Sequence, residues 1–251
     1  MRIDHPAPRH IPTLRQLWQE AFGDSDAFLD SFFSVGFDPQ RCRCVLAEDR
    51  PMAMVYWFCQ HWEGGKAAYL YAIATAQEAR HRGFCVALMA DTHALLKAQG
   101  YDGTILVPAN ESLARMYEKM GYEYATTVTE FSCCAASAPV AVAKIPLGEF
   151  QRRRNVMLPP GSLQPENAGL AFLETQASFY AGDDFLLAGR EEDGVFFATE
   201  LLGNSAAAPG ILQALGLSSG TFRCPGKDIP FAMYRPLTDA PPPAYFPFAF
   251  D

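Results

Sequence analysis

One segment constrains this chain more than any other. Across residues 67–98 an apolar strand pattern gives way to a helical one over a short basic loop. Ala67–Thr75 (AAYLYAIAT) is an apolar run of strand length, and the polar loop QEARHRG follows it. Beyond the loop Phe84, Leu88, Thr92 and Leu95 recur at helical spacing, with Met89 and Leu96 beside them, until Gly100 stops the pattern. A helix that begins directly after a strand leaves its first N–H groups unpaired, and such a terminus binds anions. Gly83 lets a phosphate approach the backbone, and Arg80 and Arg82 add positive charge. The segment could cradle a diphosphate; on these residues alone a solvated connection is the alternative.

The flanking sequence predicts a mixed α/β (α+β) architecture. Residues 10–22 read as an amphipathic helix bearing Ile11, Leu14, Trp18 and Phe22. A second helix follows, with Ser25 as its cap. Cys42–Ala47 and Met52–Gln60 read as strands before Ala67–Thr75. Thr104–Val107 is a short strand, and residues from Asn110 to about Met120 form a helix closed by Gly121. Tyr122–Cys133 reads as one or two further strands. We place a first domain at residues 1–134 and a smaller α+β domain at 146–251. The Ala-, Ser- and Pro-rich stretch 134–145 reads as a linker, with an edge strand as the alternative.

The bulk properties narrow the function. With 49% apolar and 19% charged residues the chain can fill a core. A net charge of -8 argues against a nucleic-acid surface and is compatible with a cationic partner such as an amine. The seven cysteines show no paired metal-ligand spacing, nor do His5, His10, His81 and His93, so no metal is expected. The cysteines read mainly as small core residues, and reduced thiols fit a cytoplasmic setting. MRIDHPAPRH lacks a signal-peptide pattern, and no apolar run has membrane-span length. His93 reads as a solvated or capped helical residue, and Arg152–Arg154 as a solvated turn.

Leu70–Met89 (LYAIATAQEARHRGFCVALM) resembles the acetyl-CoA motif of the GCN5-related N-acetyltransferases, whose loop runs Arg/Gln-x-x-Gly-x-Gly/Ala. Here it reads Arg80-His81-Arg82-Gly83-Phe84-Cys85, with Cys85 where Gly or Ala is usual. From its place at a helix N-terminus, the Cys85 thiol is expected to have a lowered pKa. A second stretch, Leu106–Tyr124 (LVPANESLARMYEKMGYEY), is similar to the family's following strand, helix and Gly-aromatic close. The resemblance covers about residues 1–132. It implies a GNAT fold with a mixed, bent central sheet flanked by helices, and acetyl-CoA as co-substrate. It implies that Arg80, His81, Arg82, Gly83, Phe84 and Cys85 hold the diphosphate. Ile73, Ala74 and Thr75 would pair with the pantetheine arm, and Asn110 would contact the cofactor. Tyr117 would sit beside the thiol sulfur as general acid.

The implied reaction is direct attack of a primary amine on the thioester, with a strand amide near Ile73 facing the developing oxyanion. His61, Glu63 and Glu111 are candidate bases. So is Asp251, because some larger bacterial relatives are similar in bringing a chain terminus to the active site. The rival reading is a non-catalytic acyl-CoA sensor or scaffold. The second domain, which lacks the Arg-x-x-Gly-x-Gly pattern, reads as a degenerate copy of the first or as an unrelated module. The expected partners are a small-molecule or peptide amine and a second copy of the chain in a homodimer. Neither nucleic acid nor membrane is expected.

Overall fold

The computed structural model describes residues 2–248. The chain forms two compact units, each assembled from separated stretches. One comprises residues up to Glu123 with Gln164–Phe172 and Met233–Pro242; the other comprises Tyr124–Leu163, Leu173–Ala232 and the residues from Pro243 on. This division differs from the one drawn at 134 and 146. Thr127–Cys134 is a strand of the second unit, and a late segment, Met233–Pro236, is a strand of the first. None of the described helices is long and apolar enough to cross a membrane.

The first unit is built on a mixed sheet. β1 (Arg2–Asp4), β2 (Cys42–Ala47), β3 (Arg50–Trp62) and β4 (Gly65–Thr75) pair antiparallel in sequence order. β5 (Gly103–Leu106) then joins β4 in parallel, and Met233–Pro236 runs antiparallel along the far side of β5. The crossover from β4 to β5 is α3 (Phe84–Ala98), as a parallel pair requires. Alternation along β2 sorts the helices. Cys42 stands opposite Tyr56, whose ring lies 5.4 Å from that of Trp18 on α1 (Ile11–Phe22). Its neighbour Arg43 points the other way, to Asp91 on α3 at 2.6 Å. The helices therefore cover both faces. On the first, Trp18, Phe32 and Tyr56 form an aromatic core with α2 (Asp26–Ser31), whose expected cap is present as Ser25 Oγ accepting from the Phe28 amide at 3.2 Å.

The second unit holds a sheet of its own, in which Val195–Gly203 and Ser219–Pro225 run parallel around the helix Ala208–Leu215. Phe185, Leu187, Phe196, Ile211, Leu212 and Phe222 make its core. An antiparallel hairpin, a helix and a parallel strand follow one another here as they do from β3 to β5. Arg154 corrects the reading of Arg152–Arg154 as a solvated turn. It lies on the helix Leu147–Met157, is buried, and makes a two-pronged pair with buried Glu200 at 2.6 and 3.1 Å under the ring of Phe248. The guanidinium is tolerated because the carboxylate and the ring replace its lost water.

Candidate active site

The site starts where β4 leaves β5. Pairing with β5 stops at Tyr69–Ile105, while β4 runs on to Thr75. On its other side β4 carries a bulge: Ala72 and Ile73 together stand opposite Val55 of β3, and Ala72 adopts a left-handed φ of 48°. A bulge sets one residue outside the regular ladder and turns the strand. Left-handed backbone at an alanine costs on the order of 1–3 kcal/mol and tends to persist at functional positions. Ile73, Ala74 and Thr75 thus lie beyond the last β5 pair, on the stretch of β4 that keeps only β3 as a strand neighbour among the described residues.

The loop after β4 is held from both ends. Ala79 is fully buried, and the Gln77 amide donates to Glu20 on α1 at 2.7 Å. Arg80 donates through Nε to the Thr75 carbonyl at 3.2 Å and lies 3.8 Å from Glu20, so it braces the loop. Arg82 does no such work. Its guanidinium sits 5.0 Å above the Phe84 ring, and no carboxylate lies within ion-pair distance of it among the described residues. His81 and Gly83 are left-handed, at φ 60° and 77°. A Cβ on Gly83 would meet nothing within 4 Å, so the glycine answers to the sign of φ and the space above it is open. No side chain caps α3 at Gly83. The loop thus presents uncapped amides at Phe84 and Cys85 beside one uncommitted arginine, a fit for a diphosphate.

Cys85 corrects one expectation. Burial pushes its thiol up to about 11, against the lowered value anticipated from a helix N-terminus. Desolvation of the thiolate outweighs the helix-end field, which is worth about 0.3–1 kcal/mol. Cys85 is therefore a neutral, small residue in the loop, in keeping with a packing role.

Tyr117 lies on α4 (Glu111–Glu118) and is buried. Burial raises its pKa and keeps the phenol protonated. Its hydroxyl makes no hydrogen bond among the described residues. The neighbouring Tyr122, with its ring 5.8 Å away, is fully engaged: Thr104 Oγ1 and His93 Nε2 both lie 2.8 Å from its hydroxyl. Here the reading of His93 as solvated or capped is overturned. The ring is buried, and burial, with the Arg235 charge adding to it, pushes its pKa down to about 3. The sequence held a signal for this, since His93 lies four residues after Met89 and three before Leu96 on the buried face of α3. Asn110 is placed by α4 itself: its Oδ1 accepts from the Leu113 amide at 3.0 Å as the helix cap.

The candidate bases are not gathered at the bulge. Glu63 is an exposed turn residue between β3 and β4, and Glu111 pairs with Arg115 at 3.1 Å in solvent. His61 stands opposite Lys66 at the other end of the β3–β4 hairpin, roughly 20 Å along the strand from Ile73 at about 3.3 Å per residue. Asp251 lies outside the described residues. The apolar run leading to it does dock: Tyr245, Phe246 and Phe248 are buried in the second unit.

Residues 2–125 match the family model of the acetyltransferase (GNAT) domain. The first half of this chain is a GNAT domain. Solved structures agree in fold. A GCN5-related N-acetyltransferase from Kribbella flavida is 20% identical with a TM-score of 0.71, over 94% of this chain and 72% of that one. One from Anabaena variabilis is 16% identical at 0.68, over 94% and 73%. Eis1 from Mycobacterium abscessus is 12% identical at 0.69, over 94% and 74%. No curated protein matches the chain. The GNAT domain thus contains the bulge, the Arg80–Cys85 loop and Tyr117 in one continuous stretch.

Proposed function

We propose that this GNAT protein transfers an acetyl group from acetyl-CoA to a primary amine by direct attack. The observation that carries the reading is the β4 bulge at Ala72, with β5 parted from β4 and an uncapped helix start at Gly83. An extended pantetheine arm would add to the free side of β4 at Ile73, Ala74 and Thr75 as a strand adds to a sheet edge. Its diphosphate would meet the amides of the Arg82–Cys85 turn and the Arg82 side chain, with Asn110 on the cofactor's path. The amide near Ile73 would face the thioester oxygen as it gains charge.

In this reading Tyr117 protonates the departing thiolate. Its phenol stays protonated and its hydroxyl is uncommitted, which suits a general acid. The proton that the amine loses goes to Asp251, a role assigned on the family resemblance alone. The acidic net charge of -8 favours a cationic acceptor.

Calorimetric titration with acetyl-CoA tests the cofactor site, using Gly83→Glu as the variant. It places a carboxylate and an unfavourable φ where the diphosphate would rest, and binding should be lost. A panel of amines, followed by free-thiol release, then tests turnover. Binding without transfer to any amine would favour a sensor; no binding to the natural chain would end the reading.

A further inference from the structure

Cys59, His61 and Glu166 meet at the end of the first unit's sheet away from the β4 bulge. Cys59 and His61 are two apart on β3 and so face the same side. Gln164–Pro165 pairs antiparallel with β3 at Gln60 and His61, and the Glu166 amide donates to the Cys59 carbonyl at 3.1 Å. The backbone thus holds Glu166 alongside the other two, although it lies 105 residues beyond His61. One atom from each side chain, Cys59 Sγ, His61 Nε2 and a Glu166 carboxylate oxygen, lies within 4.8 Å of the other two.

The pattern of contacts separates two uses of such a trio. A nucleophile–base–acid relay needs both ring nitrogens of the histidine, one for each partner. Here the thiol and the carboxylate face the same nitrogen: Cys59 Sγ is 3.6 Å from His61 Nε2, and Glu166 Oε1 contacts that same atom. The three ligand atoms instead gather within 4.8 Å of one another on one side of β3, close enough to share one cation. Zinc bonds of about 2.3 Å to sulfur and 2.0–2.1 Å to nitrogen at a tetrahedral angle separate those atoms by about 3.6 Å. The Cys59–His61 spacing has that value, and the Glu166 carboxylate, now in direct contact with His61 Nε2, would swing back from the ring to a comparable spacing to admit the ion. Glu166 Oε2 is left to Arg41 at 4.0 Å, so Oε1 is the oxygen turned inward. His61 and Glu166 are part-exposed, which gives an ion a way in, and Cys59 is buried beneath them.

We infer that Cys59, His61 and Glu166 form a Zn²⁺ site with three protein ligands and a fourth position open to water. A thiolate and a carboxylate balance the charge of the ion, while the soft sulfur and the imidazole favour zinc over magnesium or calcium. The ion would fasten the 164–166 segment to β3. Binding replaces the Cys59 thiol proton, which is released to solvent.

The test uses the full chain freed of metal with a chelator, and Co²⁺ as a spectroscopic stand-in followed by Zn²⁺ competition. The expected result is one Co²⁺ per chain, with a sulfur-to-cobalt charge-transfer band and the intense visible bands of a tetrahedral site. Cys59→Ser should remove the charge-transfer band, and Cys134→Ser should leave it unchanged. His61→Ala and Glu166→Gln should each weaken Zn²⁺ binding by at least about 100-fold. At a hundredfold excess over its dissociation constant, Zn²⁺ should raise the melting temperature by about 5–10 °C. This rise should vanish in Glu166→Gln, whose side chain is part-exposed, so that variant carries the test even if Cys59→Ser fails to fold. A charge-transfer band surviving in folded Cys59→Ser, a Zn²⁺ response undiminished in Glu166→Gln, or no saturable binding would each overturn the assignment.

Discussion

Tyr117 and Tyr122 are five residues apart with rings 5.8 Å from one another, yet the structure gives them opposite work. Removing one hydroxyl at a time separates chemistry from stability. Tyr122→Phe deletes the partner of both Thr104 Oγ1 and His93 Nε2, each at 2.8 Å in a buried place. Leaving a buried polar group unsatisfied costs about 1–3 kcal/mol, so the loss should total about 2–4 kcal/mol once relaxation is allowed for. At about 2–4 °C per kcal/mol for a chain of this size, the melting temperature should fall by about 5–15 °C. Tyr117→Phe removes a hydroxyl with no partner among the described residues, so stability should hold within about 0.5 kcal/mol. Its cost should fall on the chemical step instead, at about 10²–10⁴ in kcat, with acetyl-CoA affinity preserved. The assays are thermal melts, calorimetric titration with acetyl-CoA, and thiol release with an accepted amine. A Tyr117→Phe enzyme retaining kcat within threefold would refute the acid role. A Tyr122→Phe protein as stable as its parent would refute the account of the His93–Tyr122–Thr104 network.

Three further outcomes follow from buried charge. His93 has a folded-state pKa near 3, below an unfolded value of about 6.5. Its contribution is therefore complete above about pH 6.5 and is lost as pH falls towards 3, at up to about 1.4 kcal/mol per pH unit. Urea unfolding at pH 7 and pH 5 should show His93→Gln losing about 2 kcal/mol less than the natural chain over that interval; equal losses would mean that His93 is solvated. Cys85, with its thiol raised to about 11, should react with iodoacetamide at pH 7.5 more slowly than exposed Cys134, as read by peptide mass spectrometry. Faster labelling at Cys85 would restore the helix-end effect as the stronger one. Glu200→Gln strands the buried Arg154 guanidinium and should cost about 3–5 kcal/mol in the second unit, whereas Glu149→Gln, which loses only a part-exposed pair with Arg153 on the same helix, should cost under about 1 kcal/mol.

Local patterns in the sequence made part of this legible. The strand–loop–helix from Ala67 to Ala98 announces itself through a change of period, and the bulk of Ser25, Asn110 and Gly83 signals are cap and turn chemistry carried by single residues. Those features need only near neighbours to be read. The bulge at Ala72 left no such mark: nothing in LYAIAT distinguishes the residue that turns left-handed, because the turn is imposed by pairing with β3 on one side and the loss of β5 on the other. His93 departs from its local pattern for a related reason. Its spacing put it on the buried face, but a polar residue there needs a partner, and Tyr122 comes 29 residues later.

The harder limit is set by topology. Burial alternates along Thr127–Cys134, which falls within the stretch read as strand, whereas Met233–Pro236 is buried at its first two residues and opens towards its end without alternating. A strand's pattern says which face is covered and nothing about which edge it joins. The neighbour that β5 takes on its far side, Met233–Pro236, comes more than a hundred residues later. The same return of late chain to early sheet brings Gln164–Pro165 to β3 and Glu166 to Cys59. Ligand spacing along the chain therefore carries no sign of the trio proposed above as a metal site. Cys59 and His61 supply only two ligands at a spacing of two, and the third exists only once the sheet has closed around its late strands. It follows that disrupting the Gln164–Pro165 pairing, for instance with Gln164→Pro, should abolish zinc binding while every ligand is still present, because the site depends on the register of the strand as much as on the residues themselves.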